Sequence, residues 1–475
     1  MAPTQNPYDA VALAMDGVHR LARDYVLGLP GRPAGSASTR DELGAALDEP
    51  LPEHETDSDQ VAAEWLRRAA PGIVGSAGPR FFGFVLGGVT PAALAGDWLA
   101  STIDQNAGLW AISPAATQTE MVVMRWLKEL FDLPAAWTGA LTSGATQSNT
   151  AALAAARQWA GARHGHDIAA NGMIGCPPIT VVSSEAIHAS ARKALANNGF
   201  GRNNVRTVPA PGGRVDIAAL KQALAEIDGP AIVIANAGEV NTGQFDDIAA
   251  VAELVEAHPG GAWLHVDGAF GLFAAASPRF KHLTAGIERA DSVASDGHKW
   301  LNVPYDCGFV LFKDAPNARA TFTTLAAYLS GDGGWDADDY GVDMSRRFRA
   351  LPAWCALKAY GREGYRTMIE RCVDNAIAFI NWIDATPGLE LMNAERLRAT
   401  PLNIVCFRFS GEGRSDAEAD ELNRRAAVAI QADGRAFVSG TDWDGRRAMR
   451  AAFDNWATTL EDVKILQQAV LAAGS

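Results

Sequence analysis

A lysine stands in an unusual setting at position 299, in the stretch Ala290 to Lys313, ADSVASDGHKWLNVPYDCGFVLFK. Asp296, Gly297 and His298 precede it, and apolar runs flank it, Ser292 to Ser295 and Gly308 to Phe312. Runs this apolar pair in a buried sheet, so the connection carrying Lys299 is expected at the sheet's edge, facing a crevice. A lysine partly desolvated there loses preference for its charged form and becomes a usable amine nucleophile. Three further features could serve it. In LTSGATQSN, Leu141 to Asn149, an apolar segment runs into an Ala-rich helix. Amides freed at that helix start, a glycine allowing close approach, and the hydroxyls of Ser143, Thr146 and Ser148 suit a phosphate. In WLHVDG, Asp267 ends a buried strand, where a carboxylate is costly unless a cation or several donors meet it. His188, in SSEAIHASARKAL, follows another strand and offers an aromatic ring.

Residues so far apart in the chain need a frame. From about Thr90 to Gly361 helix and strand patterns alternate. The expected strands are Thr180 to Ser183, Ala231 to Ala235, Ala262 to Val266, Ser292 to Ser295 and Cys307 to Phe312, divided by helices such as Asn149 to His164 and Ile217 to Ile227. Short apolar strands between helices predict an α/β fold with a mostly parallel sheet covered on both faces, and ligands then bind beyond the carboxyl ends of the strands. Before this segment lies an arm with three expected helices, Tyr8 to Val26, a short one capped by Thr39 and Glu42, and Asp57 to Ala70. With no sheet of its own, the arm must pack on a dimer partner or on its own large domain. After it, a helix Gly364 to Ala385, strands at Leu402 to Phe409 and Met449 to Phe453, and a helix Asp416 to Gln431 make a compact α+β module. The expected division is therefore 1–89, 90–363 and 364–475.

The chain has 475 residues, of which 48% are hydrophobic and 20% charged, an ordinary globular composition. Its 41 basic and 55 acidic residues give a net charge of −14, which argues against a nucleic-acid partner. Apolar runs such as Ala231 to Ala235 are too short to cross a membrane, and none opens the chain as a signal peptide would. A cytoplasmic protein is expected. The five cysteines lack CxxC spacing and the nine histidines lack an HExxH pattern, so neither a disulfide framework nor a metal site is indicated.

A phosphate anchor, a carboxylate for a protonated ring nitrogen, an aromatic ring to stack and a lysine for an aldehyde are together what pyridoxal phosphate requires. The stretch from Ser292 to Lys313 resembles the signature of the group II pyridoxal-phosphate-dependent amino-acid decarboxylases. Ser292 and Val293 are followed by Lys299, Trp300 and Leu301, then Tyr305, Cys307, Val310 and Lys313. The resemblance extends to PRFFGF at Pro79, SPAATQTE at Ser113, TSGATQSN at Thr142, HVDGAFG at His265, RRFRALPAW at Arg346 and FDNWATT at Phe453, and it is closest to the aromatic-amino-acid branch.

This resemblance implies the fold type I architecture of pyridoxal-phosphate enzymes, with a seven-stranded-type central sheet, and a homodimer whose active site is completed across the interface. It implies a Schiff base between the cofactor and Lys299, Asp267 paired with the pyridine nitrogen, His188 stacked on the ring and Ala269 against its other face. Ala145 and Thr146, with His298, would hold the phosphate. Tyr328, in LAAYLSGDGGW, matches the family's mobile-loop tyrosine, which protonates Cα after CO2 leaves and reaches in from the partner subunit. The reaction implied is decarboxylation of an L-amino acid to its amine. Aldehyde synthases and glutamate- or aspartate-type decarboxylases are the alternatives, and a non-catalytic relative is disfavoured because Lys299, Asp267, His188 and Tyr328 are all present. Phe84, Leu109 and Trp110 would line the substrate pocket and favour an apolar or aromatic side chain. The chain departs from the family pattern at Glu239 and Val240, where hydroxyls are lost. It departs again at Asp296, an acid that would face the phosphate.

Overall fold

The computed structural model describes residues 7–323, 334–411 and 413–474. Seven strands form the central sheet: β1 Thr138–Thr142, β2 Thr180–Ser184, β3 Arg206–Val208, β4 Ala231–Asn236, β5 Ala262–Asp267, β6 Ser292–Asp296 and β7 Gly308–Phe312. Their order is β1-β7-β6-β5-β4-β2-β3. Pairings from β6 through β3 are all parallel, and β7 runs against both of its neighbours. All the strands expected from sequence are present. The two edge strands β1 and β3 lie outside the expected set because each is short and broken in its apolar pattern. Since β6 has neighbours on both sides, the Lys299 connection lies at the carboxyl end of an inner strand and not at a lateral edge.

Side-chain alternation along the strands builds one core per face. On β4, Val233 and Ala235 join a cluster with Leu264, Val266, Val293 and Leu311 on one side. Ile232 and Ile234 join Trp263, Val310 and Phe312 on the other. The helix Ala145–Arg163, hereafter the anchor helix, packs against this second cluster through Ala151, Ala152, Ala155 and Ala156, all fully buried. Small side chains let its axis sit close to the strands, and that places its first turn beside the carboxyl ends of β5 and β6.

The arm consists of α1 Pro7–Gly28, α2 Arg40–Leu47 and α3 Ser58–Ala69. Thr39 and Glu42 form the expected capping box, with Glu42 N–H donating to Thr39 Oγ1 and Thr39 N–H to Glu42 Oε2. Few arm residues are buried. A groove of about 1150 Å³ opens among Leu21, Tyr25, Trp65, Leu66, Trp98 and Trp456. At the other end of the chain β8 Leu389–Leu391, β9 Ile404–Phe409, β10 Ser439–Trp443 and β11 Arg446–Ala452 form an antiparallel sheet ordered β10-β11-β9-β8, with a core of its own. The long helix Ala350–Ala385 runs from the large core to this one, and at Gly361 its backbone leaves the helical region, with φ 57° and ψ −173°. Among the described residues no helix is long and apolar enough to cross a membrane. No cluster of His, Cys, Asp and Glu suited to a metal occurs among them either.

Candidate active site

Lys299 follows β6 by three residues, and its side chain is 17% exposed. Its Nζ lies 3.0 Å from Asp296 Oδ2, in an ion pair that is nearly enclosed. The second oxygen of Asp296 accepts the N–H of Ala145, the first residue of the anchor helix, and lies 3.4 Å from His298 Nε2. The carboxylate thus takes the position at the head of the helix where freed amides and the helix dipole attract an anion. A Cβ on Gly144 would come within 3.1 Å of the His298 ring and 3.2 Å of Asp296, so a larger residue there would have to displace both side chains slightly. His298 stacks on Tyr305 with ring centroids 4.2 Å apart, and burial lowers its pKa against the pull of Asp296. Its Nδ1 is buried without a hydrogen-bond partner among the described residues.

Asp267 is the last residue of β5 and 5% exposed. Its carboxylate receives two donors, the Ala269 N–H at 3.2 Å and the Asn149 amide at 2.9 Å. Ala269 itself accepts the Asp296 N–H through its carbonyl, which ties the β5 and β6 ends together. His188 caps the helix Ala189–Asn197 and keeps an exposed ring, with Nδ1 2.7 Å from Ser190 Oγ. Ser190 Oγ lies 3.4 Å from the Asn149 amide, so His188, Asp267 and the anchor helix meet at one point. Lys299, Asp267, His298, Ala145, Thr146 and Ala269 all belong to this end of the sheet.

Both termini of the chain brace the lysine. Asn302, fully buried, accepts the N–H of Gly88 at 2.7 Å and of Trp456 at 3.0 Å through Oδ1, and its amide donates to the Asp454 carbonyl. Asp454 accepts the Gly87 N–H at 2.9 Å, and burial pushes its carboxyl up to about 6. Gly87 presses against the Lys299 carbonyl. A second clamp is the buried pair Glu120 and Arg346, in which Glu120 also accepts the Leu141 N–H and Arg346 also bonds the Leu141 carbonyl.

The expected pocket residues scatter. Phe84 lies on the loop that reaches Lys299 through Gly87, with φ 57°, a half-exposed ring and its N–H donated to Ser439. Leu109 and Trp110 belong to a segment held by the chain near 336–346, through Trp110 N–H to Asp336 and Ala107 N–H to the Arg346 carbonyl. No contact joins them to Lys299 or Asp267 among the described residues. Tyr328 lies outside the described residues. Glu239 does not face the lysine. Its carboxylate folds back to accept the N–H groups of Asn241 and Thr242, while Val240 accepts from Arg450 of the small sheet.

Asn149 and His265 escaped the sequence reading, although two signals point to them. Asn149 lies four residues after Ala145, one helical turn away on the same face. His265 lies two residues before Asp267, hence on the same side of the strand.

The residues present suit pyridoxal phosphate. An enclosed amine, a buried carboxylate met only by donors, an exposed imidazole face and a glycine-lined helix start with an open His298 nitrogen are what its aldehyde, ring nitrogen, ring and phosphate need. One feature strains the fit, since Asp296 already uses the Ala145 amide. A phosphate there must rely on Thr146 and His298 and tolerate the acid.

Comparison with known proteins gives the same answer by a separate route. The chain is 29% identical over 467 residues to an aromatic-L-amino-acid decarboxylase of Bacillus atrophaeus, covering 96% of this chain and 92% of that one. It is 25% identical to phenylacetaldehyde synthase of Arabidopsis thaliana, covering 93% and 91%. The crystal structure of Oryza sativa TDC with PLP and tryptamine superposes with a TM-score of 0.90 at 26% identity, covering 100% of this chain and 99% of that one. The sequence profile described as the pyridoxal-dependent decarboxylase conserved domain matches residues 41–410. With that match spanning the lysine, its carboxylate and the anchor helix together, the chain belongs to the pyridoxal-dependent decarboxylase family.

Proposed function

We propose that the protein uses pyridoxal phosphate to decarboxylate an L-amino acid with an aromatic side chain, releasing the amine and CO2. The observation that carries this reading is the convergence of Lys299, Asp267 and the anchor-helix start at one end of the sheet, in a chain of this family. Bound there, the cofactor supplies an electron sink for the pair left when the bond from Cα to the carboxylate breaks. Lys299 holds the cofactor aldehyde. Asp267, met by two donors, holds a proton on the ring nitrogen. His188 and Ala269 pack against the two ring faces, and Thr146 and His298 receive the phosphate beside Ala145, whose N–H is taken by Asp296. Which bond at Cα breaks depends on which one stands perpendicular to the ring, so the pocket selects the reaction by holding the substrate carboxylate. We assign the return of the proton to Cα to Tyr328, and the side-chain wall to Phe84, Leu109 and Trp110.

The enzyme is proposed to act as a homodimer. Trp65 is 56% exposed beside the arm groove, and Val61, Leu99 and Ile103 are exposed near it, an apolar face that a second copy would cover. A partner copy would also bring Trp110 and its neighbours to a lysine other than their own. The architecture is read as an arm 1–89, a large domain 90–363 and a small domain 364–475, in keeping with separate cores for the two sheets. A cytoplasmic location fits five free cysteines, three of them buried.

The similarity to phenylacetaldehyde synthase sustains one rival, an aldehyde synthase that consumes oxygen. A panel of L-amino acids assayed for CO2, amine, ammonia and peroxide separates the two. Amine with CO2 supports the decarboxylase, and peroxide with ammonia overturns it in favour of the rival. Loss of the visible absorbance of lysine-bound cofactor in Lys299→Ala tests the anchor itself.

A further inference from the structure

Behind Asp267 runs a line of side chains with no solvent access. Trp263, His265 and Asp267 alternate along β5 on one side of the strand, and Asn149 and Ser292 reach them from the anchor helix and β6. Asn149, His265 and Ser292 are all fully buried. The Trp263 indole N–H lies 2.9 Å from Ser292 Oγ, Ser292 Oγ 2.9 Å from His265 Nδ1, His265 Nε2 2.9 Å from Asn149 Oδ1, and Asn149 Nδ2 2.9 Å from Asp267 Oδ2.

The direction of every bond follows from the Asp267 end. Asn149 turns its NH2 to the carboxylate, so its Oδ1 faces His265 and accepts the Nε2 proton. Nδ1 is then bare and accepts the Ser292 hydroxyl, whose oxygen accepts the Trp263 indole N–H. The second amide proton points to Ser190 Oγ at 3.4 Å, and Ser190 offers both its N–H and its hydroxyl to His188 Nδ1. His188 therefore also carries its proton on Nε2. Burial pushes the His265 pKa to about 4, so this ring stays neutral across the neutral range. An amide between His265 and Asp267 cannot pass a proton along, so the imidazole does not exchange one with the carboxylate.

We propose that Asn149, oriented by His265, is the positioning residue of this site, fixing the orientation of the ring-nitrogen carboxylate Asp267. The proposal rests on the reading of Asp267 given above, and it adds the group that keeps that carboxylate a one-sided partner. The only proton left for Asp267 to hold is the one arriving from the ligand side. A single amide also ties the group beneath the ring edge to the group over the ring face.

Two measurements test it. Nitrogen-15 NMR of histidine-labelled, cofactor-free protein reads the tautomer directly. His265 is expected with a bare Nδ1 and a protonated Nε2, unchanged from about pH 5 to about pH 9; an Nδ1-protonated ring, or a ring that titrates in this range, overturns the relay. The second measurement is equilibrium binding of pyridoxal phosphate followed by absorbance. Asn149→Ala is expected to weaken binding about tenfold or more, whereas Asn149→Thr, whose hydroxyl can accept from His265 and donate to Asp267, stays within about threefold of wild type. Thr lacks the second donor toward Ser190, but the Ser190 N–H still donates to His188 Nδ1, so both histidine tautomer signals should stay as in wild type. Equal binding by the Ala variant and wild type overturns the proposal. If wild type fails to bind the cofactor at Lys299, the functional reading falls, and the NMR result still judges the relay.

Discussion

Gly87→Ala puts the bracing of Lys299 to a quantitative test. Gly87 has φ +66°, a conformation in which any L side chain is strained by about 1–2 kcal/mol. A Cβ there would overlap the Lys299 carbonyl oxygen, 2.9 Å from the carbonyl carbon and 3.0 Å from the His298 carbonyl oxygen. These neighbours are backbone, held by Asn302 and by the pairing of Gly297 and His298 N–H groups with the Cys307 carbonyl, so they cannot swing aside. Overpacking against such a wall costs a further ~1–3 kcal/mol. The combined cost, about 2–5 kcal/mol, is a large part of the ~5–15 kcal/mol that holds a protein folded. Scanning calorimetry of cofactor-free protein should show a midpoint lowered by about 2–5 °C. Gly44→Ala is the matched control. Gly44 lies in helix α2 with nothing within 4 Å of the new Cβ, so that change should stabilise by about 0.5–1 kcal/mol. A Gly87→Ala midpoint within about 1 °C of wild type would refute the claim that this loop presses on the lysine backbone.

Three further outcomes follow from the same contacts. Asp296→Asn removes a negative charge from the head of the anchor helix and from beside Lys299, while an acceptor oxygen for Ala145 remains. Binding of pyridoxal phosphate should tighten about tenfold by absorbance titration, and unchanged or weaker binding would show that the acid does not oppose the phosphate. Glu120→Gln leaves Arg346 buried and unpaired and should cost about 3–5 kcal/mol in urea unfolding, with part of the loss recovered when Arg346→Met is added. Because burial holds His265 near 4 when folded against an ordinary 6.5, the unfolded chain binds the extra proton first. The stability that His265 contributes is complete above pH 6.5 and is lost as pH falls toward 4, by about 3 kcal/mol. Asp454 and Asp246, both raised to about 6, have the opposite slope, so the effect should be read as wild type minus His265→Gln at each pH.

Much of this site is legible in sequence because it follows local periods. Lys299, Asp267 and His188 each stand just beyond an apolar strand, and strands of that kind declare themselves by composition alone. The anchor helix is legible in the same way, from its hydroxyls and glycine and the alanines behind them. Partners that meet across the chain leave no such mark. Gly87 and Asp454 are separated by 367 residues yet share a hydrogen bond. Nothing near Glu239 reveals that it turns back on its own loop, where a hydroxyl-bearing residue could have pointed elsewhere. Leu109 and Trp110 neighbour motif residues in the sequence, but a motif does not specify where its loop docks in the fold. Asn149 lies between these cases. Its helical register is local, and its bond to His265 depends on how the helix seats on the sheet.

The position of Asn302 has a consequence for how the enzyme is made. Its side chain needs Gly88 from early in the chain and Trp456 from the end, and both must be present before the lysine loop is held. Trp456 lies beyond the last strand of either sheet, which ends at Ala452. A growing or truncated chain can therefore form its parallel sheet and still lack a seat for the cofactor. Cofactor capture waits on the segment around Trp456, and a chain lacking that segment is left without the reactive aldehyde bound at a half-built site.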